Sequence, residues 1–318
     1  MSERLLISRA LPESVMEAAR ARFDVTLRDS SDPMSHGECV AALREQDAIL
    51  PTLGDAFSAR AFAEAGEIRA RILANFGVGY NHIDTAAAKL AGVPVTNTPG
   101  AVTDATADIA MTLVLMAARR AGEGERLVRS GRWRGWTPTQ MLGLHVTGKT
   151  VGIVGMGRIG QAIARRCHFG FGMDVVYYNR SQKDAGLPAR QLDSLVDVMA
   201  AADIVVVAVP GSGETHHLID AEAFGAMQPH AIFVNIARGD VVNETALNEA
   251  MQARKIAAAG LDVYEFEPNV PEAMKALENM VLLPHLGTAA LEVREAMGNM
   301  ALANVIAMSE GRPLPNPV

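Results

Sequence analysis

The chain contains 318 residues, of which 49% are hydrophobic and 20% charged, and its formal net charge at pH 7 is -7. This composition is typical of a globular protein, and the length favours two domains of unequal size. The acidic balance argues against a nucleic-acid partner and against binding to a membrane surface. The first residues lack the apolar run of a signal peptide, and no stretch is long and apolar enough to span a bilayer, so we expect a cytoplasmic protein.

Strand and helix signals alternate through the first hundred residues. Short strands are predicted at residues 5–8, 24–27, 48–50, 72–74 and 93–96. Helices are predicted between them, near residues 12–22, 35–46, 58–64 and 84–91. Several of these helices begin at Pro, Ser or Asp, which are common at helix starts. The alternation predicts a small βαβ domain with a parallel sheet.

A long helix-compatible run, TDATADIAMTLVLMAARRAGEGE, begins at Thr103 after the breaker Pro99–Gly100. A second strand and helix series follows, with strands predicted at Val151, Val175, Ile204, Ala231, Ala257 and Val281. The last run, 289–310, is again helical, and we expect it to pack back on the first domain. We therefore predict that residues 100–287 form one domain inserted into a smaller domain of residues 1–99 and 288–318, with a ligand cleft between them.

The stretch VGIVGMGRIG places Gly155, Gly157 and Gly160 in a G-x-G-x-x-G pattern between a predicted strand and a predicted helix. In such a turn the first glycine permits the tight bend, the second admits a pyrophosphate to the backbone, and the third allows close packing of strand and helix. Glycine-rich turns are common, but this one has the flanking elements that a dinucleotide site requires. The sequence therefore favours a dinucleotide site over a plain tight turn.

The end of the next strand, where an acidic residue usually binds the ribose of NAD, reads Asn179-Arg180-Ser181 and contains no carboxylate. A carboxylate would repel a 2′-phosphate, whereas a cation and neutral donors can hold one. We therefore predict that NADP(H) is preferred and that NAD(H) remains possible. Alternatively, Arg180 is an ordinary exposed arginine and both cofactors bind about equally.

Three polar residues follow predicted strands further along the chain: Arg238, Glu267 and His285. An arginine can hold a carboxylate, a histidine can exchange a proton near neutral pH, and a carboxylate can orient that histidine. Each residue also has a simpler explanation, as a turn cap, a solvated acid or a structural histidine. Whether the three meet is not determined by their spacing.

The segments VGIVGMGRIG, VNIARGDVVNETAL, GLDVYEFEP and LLPHLGTA resemble the D-isomer-specific 2-hydroxyacid dehydrogenase family in order and spacing across nearly the whole chain. The resemblance implies an α/β fold in which a Rossmann doubly wound parallel-sheet cofactor domain is inserted into a smaller flavodoxin-like substrate domain. It also implies a homodimer, with His285 as proton donor, Glu267 as its partner and Arg238 as the residue that binds substrate.

The same resemblance extends to other positions. The loop Asn75-Phe76-Gly77-Val78-Gly79 is similar to the family loop whose N–H groups, here at Val78 and Gly79, bind the substrate carboxylate. Asp262 matches the position near the nicotinamide carboxamide. The remaining cofactor positions implied by the resemblance are Thr106, Arg158, Ile159, Val209, Pro210, Thr215, Ile236, His285 and Gly287. Gly211 and Gly213 depart from the commoner residues of the cofactor-contacting loop.

Within the family, ARRAGEGERLVRSGRWRGW is most similar to glyoxylate/hydroxypyruvate reductases, also called glycerate dehydrogenases. In those enzymes a tryptophan of this segment reaches the active site of the partner subunit, and Trp136 is the candidate. Thr288 matches a hydroxyl position that would contact hydroxypyruvate, and Leu53 is expected to cover a small substrate. The resemblance thus implies NADPH-preferring reduction of glyoxylate and hydroxypyruvate to glycolate and D-glycerate.

Other functions stay open at this point. The same scaffold serves dehydrogenases of bulkier 2-keto acids, and a cofactor-sensing binding protein is a different class that can retain the catalytic residues. Glu267 argues against a formate dehydrogenase, because those enzymes resemble a version of the family that has glutamine at this position.

No metal site is predicted, because Cys39 and Cys167 stand far apart and outside any C-x-x-C pattern. Their arrangement also indicates a reducing compartment. On a strand or a helix the adjacent His216 and His217 would point in different directions, so a solvated loop is favoured over a metal site.

Overall fold

The computed structural model describes residues 2–318 and divides the chain into two units by their internal contacts. One unit, called the split unit, contains residues 2–102 together with Thr288–Val318. The other, called the inserted unit, contains Thr103–Gly287. No helix in residues 2–318 combines the length and apolar character that crossing a bilayer requires.

The split unit contains a five-stranded sheet in the order β2-β1-β3-β4-β5, and every pairing in it is parallel. Its strands are β1 (Arg4–Ile7), β2 (Asp24–Leu27), β3 (Ala48–Leu50), β4 (Leu73–Ala74) and β5 (Val95–Thr96). Its helices are α1 (Glu13–Arg20), α2 (His36–Glu45), α3 (Ala59–Ala65), α4 (Thr85–Leu90) and the return helix Leu291–Ser309.

Polar caps fix the starts of three of these helices. The backbone N–H of Glu38 donates to the Ser35 hydroxyl, and the Glu38 carboxylate accepts from the Ser35 N–H, which forms a capping box. Ser58 and Asp84 accept backbone N–H groups of α3 and α4 in the same manner. The return helix packs closely on α1, since a Cβ at Gly298 would lie 2.8 Å from Val15.

The inserted unit contains a seven-stranded parallel sheet in the order β12-β11-β10-β9-β6-β7-β8. Its strands are β6 (Thr150–Val154), β7 (Asp174–Tyr178), β8 (Arg190–Gln191), β9 (Ile204–Val207), β10 (Ile232–Asn235), β11 (Ala258–Leu261) and β12 (Met280–Leu282). The strand order reverses at β6, and α/β proteins bind ligands beyond the carboxyl ends of the strands at such a reversal. The predicted strands are present, while β8 has no counterpart in the prediction.

Helices cover both faces of this sheet with apolar side chains. The helices of this unit, of which all except α6 bury side chains, are α5 (Thr103–Ala118), α6 (Ala121–Arg129), α7 (Arg158–Arg165), α8 (Leu195–Ala201), α9 (Ala221–Ala226), α10 (Glu244–Gln252) and α11 (Glu272–Lys275). A π-helical turn, Arg166–Gly170, follows α7. Burial on both faces explains why strands such as β9, with sequence IVVV, are apolar throughout. The predicted α/β class, with a Rossmann-like doubly wound sheet in one unit, is confirmed.

The run that begins at Thr103 forms two helices instead of the single one that its composition suggests. Arg120 adopts a left-handed conformation with φ 52°, which an α-helix does not contain, so α5 ends before it and α6 begins after it. Helix α5 is buried along much of its length, whereas α6 has no buried residue. Helix α6 therefore contributes no side chain to the core of the inserted unit.

Both cysteines lie inside the two units as free thiols. Burial raises the pKa of the Cys39 thiol to about 12, and burial likewise raises that of Cys167 to about 12. Each thiol therefore stays protonated near neutral pH and behaves as a small apolar side chain.

Candidate active site

The glycine turn between β6 and α7 has the form that a pyrophosphate requires. Gly155 adopts φ 99°, and a Cβ on Gly160 would lie 2.1 Å from the Gly155 carbonyl oxygen, so both positions need glycine. A Cβ on Gly157 would meet nothing within 4 Å, and no side chain caps α7 there. The first N–H groups of α7 thus face open space, which fits a bound phosphate anion.

Asn179, which follows β7, is engaged by the protein itself. Its Oδ1 accepts the backbone N–H of Met156 at 3.2 Å, and its Nδ2 donates to the Ser181 carbonyl at 2.7 Å. These bonds connect the glycine turn to the loop after β7. Arg180, in contrast, is exposed and forms an ion pair with Glu214, with 2.7 Å between Nη1 and Oε2.

His285 and Glu267 form a hydrogen-bonded pair, with 2.8 Å between Nδ1 and Oε2. The second carboxylate oxygen of Glu267 accepts the N–H of Tyr264 at 3.0 Å. Burial acts to raise the pKa of Glu267, but the bond to His285 and the charges of His285 and Arg238 outweigh it and lower that pKa overall. Because an ionised carboxylate only accepts, Nδ1 carries a proton, and Nε2 is the ring nitrogen left for a substrate.

Asp262 shapes the turn on which His285 is mounted. Its carboxylate accepts the N–H groups of Leu286 at 2.6 Å and Gly287 at 2.8 Å, and its carbonyl accepts the N–H of His285 at 3.0 Å. These bonds hold His285 at φ 53°, a left-handed conformation that is uncommon outside glycine. Burial raises the pKa of Asp262. The predicted contact of Asp262 with the nicotinamide stays a prediction, while its hold on this turn is a role that the sequence pattern does not reveal.

Two further groups fix the residues around this turn. The Thr106 hydroxyl of α5 donates to the Gly287 carbonyl at 3.3 Å. The Tyr264 hydroxyl donates to the Leu283 carbonyl at 3.0 Å, two residues before His285. The segment that carries Glu267 and the strand end that carries His285 are therefore tied together by hydrogen bonds apart from the pair itself.

Arg238 lies after β10, next to this pair. Its Nη1 donates to the Ala237 carbonyl at 2.6 Å, and it forms no ion pair with any residue in the range 2–318. Desolvation by burial lowers the pKa of the guanidinium, although Glu267 and Asp240 act in the opposite direction. An arginine remains charged at such a site. Because Arg238 and His285 each interact electrostatically with Glu267, the structure brings the three predicted residues together.

The backbone after Arg238 touches the backbone that leads to Glu267. A Cβ on Gly239 would lie 1.8 Å from the carbonyl carbon of Tyr264 and 2.1 Å from the N atom of Glu265. Only a residue without a side chain fits such a contact. Gly239 is a positioning residue that the sequence analysis missed, and its only signal is its place directly after the arginine.

The cofactor-contacting loop after β9 packs against Arg238. A Cβ on Gly211 would lie 2.8 Å from Cγ of Arg238, so this glycine, unusual for the family pattern, makes room for the arginine. The Thr215 hydroxyl accepts the N–H of Ser212 at 2.9 Å and donates to the Pro210 carbonyl at 2.8 Å. Thr215 therefore stabilises the loop from within.

His216 and His217 lie in a turn and His216 is exposed, as the solvated-loop interpretation predicts, but their side chains do not diverge. Their rings stack with 4.0 Å between centroids. His217 Nε2 lies 2.9 Å from Glu265 Oε1, and the Glu265 N–H donates to buried Glu244 at 2.8 Å. The reason is the left-handed conformation of His217 at φ 50°, which removes the alternation of a regular strand. Residues 2–318 contain no group of three or more His, Cys, Asp or Glu side chains that could hold a metal ion.

The glycine loop of the split unit presents N–H groups because side chains bind its carbonyls. Asn75 Nδ2 donates to the carbonyls of Gly77 and Gly79, each at 3.0 Å, and Asn97 Nδ2 donates to the carbonyl of Val78 at 2.9 Å. Within the described chain the N–H groups of Val78 and Gly79 have no protein acceptor. Two adjacent free N–H groups form a concavity that suits an anion.

Comparisons with known proteins identify the family to which the chain belongs. The sequence profile of the D-isomer specific 2-hydroxyacid dehydrogenase NAD-binding domain matches residues 111–287. A glyoxylate reductase from Thermococcus kodakarensis is 42% identical over 321 residues, which cover 99% of this chain and 96% of that protein. The chain belongs to the D-isomer specific 2-hydroxyacid dehydrogenase family.

Solved structures of other 2-hydroxyacid dehydrogenases share the whole fold. An NADPH-dependent glyoxylate/hydroxypyruvate reductase from Sinorhizobium meliloti, in complex with NADP and malonate, is 34% identical with a TM-score of 0.89, covering 100% of this chain and 97% of that chain. The D-mandelate dehydrogenase of Rhodotorula graminis is 29% identical with a TM-score of 0.85, covering 100% of this chain and 97% of that chain.

Three other residues of this 2-hydroxyacid dehydrogenase are predicted to contact substrate, and each is described within its own unit. Leu53 is exposed in the loop after β3, where Arg9 donates to its carbonyl at 3.2 Å. Thr288 belongs to the split unit, at the start of its second segment. Trp136 is 78% exposed in a stretch without helix or strand. The roles of all three stay predictions.

Replacing Asn75 by alanine should weaken substrate binding in this dehydrogenase. The change removes two of the three hydrogen bonds that orient the loop carbonyls and leaves the one from Asn97, so the N–H groups of Val78 and Gly79 are held less firmly in direction. We expect the KM for the keto acid to rise by about tenfold, which corresponds to about 1.4 kcal/mol, with a smaller change in kcat. Steady-state kinetics checks this, with the KM for the nicotinamide cofactor as internal control. An unchanged substrate KM contradicts the assignment.

Proposed function

We propose that this enzyme reduces small 2-keto acids, glyoxylate and hydroxypyruvate, to glycolate and D-glycerate, with NADPH as the preferred reductant. The observation that carries the proposal is the hydrogen-bonded pair of His285 and Glu267 beside the unpaired cation Arg238. A proton donor next to a carboxylate-binding cation is the arrangement that reduction of a 2-keto acid needs. The names of the similar enzymes from Thermococcus kodakarensis and Sinorhizobium meliloti support the substrate class.

A nicotinamide held by these residues would supply the hydride that the keto carbon accepts. Arg238 and the N–H groups of Val78 and Gly79 hold the substrate carboxylate, and Arg238 polarises the keto oxygen. His285 donates the proton on Nε2 to the oxygen as the carbonyl bond opens, which yields the hydroxyl group. Glu267 accepts the Nδ1–H of His285 and so orients the ring for that transfer. The overall step consumes one hydride and one proton for each keto acid.

The residues around the glycine turn fit the dinucleotide. Gly157 and the uncapped start of α7 would receive the pyrophosphate, and Arg180 and Ser181 would receive the 2′-phosphate of NADPH. We propose the same cofactor role for the other positions that the family pattern marks: Thr106, Arg158, Ile159, Val209, Pro210, Thr215, Ile236, Asp262 and Gly287. We further propose that the inserted unit binds cofactor, that the split unit contributes to substrate binding, and that the enzyme acts in the cytoplasm.

Initial rates with glyoxylate, hydroxypyruvate and phenylpyruvate, each with NADPH and with NADH, test the proposal. We expect fast turnover of the two small acids and a higher kcat/KM with NADPH. A preference for phenylpyruvate would instead favour a bulkier 2-keto acid, a second candidate that the similarity to D-mandelate dehydrogenase supports. Absence of turnover with all three, combined with tight cofactor binding, would point to a cofactor-sensing protein.

We also propose that the enzyme is a homodimer formed through α6 and the stretch after it. Exposed apolar side chains concentrate there: Val128, Trp133, Trp136 and Leu142. Exposed large apolar side chains, and tryptophan above all, are typical of protein interfaces. We expect sedimentation equilibrium to give twice the chain mass of 33.8 kDa, and Trp136→Ala to lower kcat/KM several-fold if this side chain reaches the partner's substrate. A monomeric, fully active enzyme would contradict the proposal.

A further inference from the structure

An ion pair joins the loops that follow β7 and β9, the two strands on either side of β6. Strand β6, whose end carries that turn, lies between β9 and β7 in the sheet. Arg180 follows β7 and Glu214 follows β9, and 2.7 Å separates Nη1 of Arg180 from Oε2 of Glu214. Both side chains are largely exposed, at 82% and 77%. The Arg180 charge, which would meet the adenosine ribose, is therefore paired with an opposite charge from the loop after β9.

The position that usually supplies a carboxylate to the ribose contributes none here. The side chain of Asn179, at the end of β7, forms hydrogen bonds with Met156 and Ser181. The ion pair places two charged groups here: Arg180, which favours a 2′-phosphate, and Glu214, which opposes one. An exposed ion pair is worth little in water, so a ligand can displace it.

We propose that Glu214 is a specificity-determining residue that limits the preference for NADPH over NADH. The inference rests on the proposed function. When NADH binds, its ribose carries a 2′-hydroxyl, and the Glu214 carboxylate replaces the missing acid at the end of β7. Arg180 then stays paired with Glu214. With a 2′-phosphate, Glu214 competes for Arg180 and repels the phosphate charge. The chain therefore binds both cofactors with a smaller difference than Arg180 alone would produce.

Binding of NADPH and NADH measured by isothermal titration calorimetry, without substrate, tests this inference. Glu214→Gln keeps the shape of the side chain and removes its charge. We expect it to tighten NADPH binding by about three- to tenfold and to leave NADH binding equal or weaker. Arg180→Ala should weaken NADPH binding by about tenfold or more and leave NADH within about twofold. Glu249→Gln, the same charge change on an exposed residue of α10, should leave both constants unchanged.

Salt separates charge competition from a structural effect. At about 1 M salt the Debye length is about 3 Å, so the difference between the native enzyme and Glu214→Gln should shrink there. A difference that persists at high salt contradicts competition between charges. If Glu214→Gln leaves the ratio of the two dissociation constants unchanged while Arg180→Ala weakens NADPH, the role of Glu214 is wrong and the cofactor assignment stands. If neither variant changes the affinity for NADPH, or if the protein binds neither cofactor, the proposed cofactor site is wrong. The proposed function then loses that support, and this inference fails with it.

Discussion

Replacing His285 by alanine should lower kcat by about 10²–10⁴-fold, the range associated with loss of a general acid. The expectation follows from the bond between Nδ1 and Glu267, which leaves Nε2 to protonate the substrate oxygen. The KM for the cofactor should change little. Single-turnover kinetics with glyoxylate and NADPH measures the step directly. A His285→Ala enzyme with near-native kcat across the pH range would contradict the assignment.

Glu267→Gln and His230→Ala complete this test. The pKa of Glu267 lies below its ordinary value of about 4.3, so its carboxylate is ionised throughout the neutral range and keeps its role there. Loss of that charge should lower kcat, because a neutral amide accepts the Nδ1–H of His285 less strongly than a carboxylate does and orients the ring less firmly. His230, an exposed histidine of the same unit, bonds Asp203 outside the network around His285, so His230→Ala should keep native kcat.

Gly239→Ala should impair both stability and catalysis. The new Cβ would overlap the carbonyl carbon of Tyr264, so the backbone that leads to Glu267 has to shift. Overpacking of this kind costs about 1–3 kcal/mol of unfolding free energy, and a displacement of about 1 Å in a catalytic group can cost about 10²-fold in rate. We expect a lower kcat and a lower midpoint in chemical denaturation.

Gly225→Ala is the matched control, because a Cβ there, in α9, meets nothing within 4 Å. It should leave kcat unchanged and stability equal or slightly higher, since alanine favours a helix over glycine. Measuring kcat well below the melting temperature separates a displaced Glu267 from a smaller folded fraction. Native kcat and native stability in Gly239→Ala would show that the backbone contact is unimportant.

The sequence predicts the strands and helices well where apolar runs alternate with polar breaks, as they do throughout residues 2–102. It predicts local breaks less well. The composition around Arg120 is that of a helix, and only the conformation of that residue divides the run. Strand β8, with sequence RQ, is polar and two residues long, so it carries no pattern that could reveal it.

The candidate site shows the same division between local and long-range information. Arg238, Glu267 and His285 are visible because each follows an apolar strand. The bonds from Asp262 to the His285 turn, and from Asn75 to the carbonyls of its loop, depend on distances between atoms that are not adjacent along the chain. His217 is the clearest case, because its partner Glu265 lies 48 positions away. Residue type and spacing do not encode such contacts.

The two buried thiols make this enzyme a convenient host for site-specific labels. Cys39 and Cys167 are the only cysteines in the sequence, and both are buried with their pKa raised to about 12, so maleimide reagents should react with them slowly. New cysteines at Leu90, which is 91% exposed in the split unit, and at Glu249 in the inserted unit would then be the reactive positions. Fluorophores there would report, by energy transfer, whether substrate and cofactor change the distance between the units during turnover.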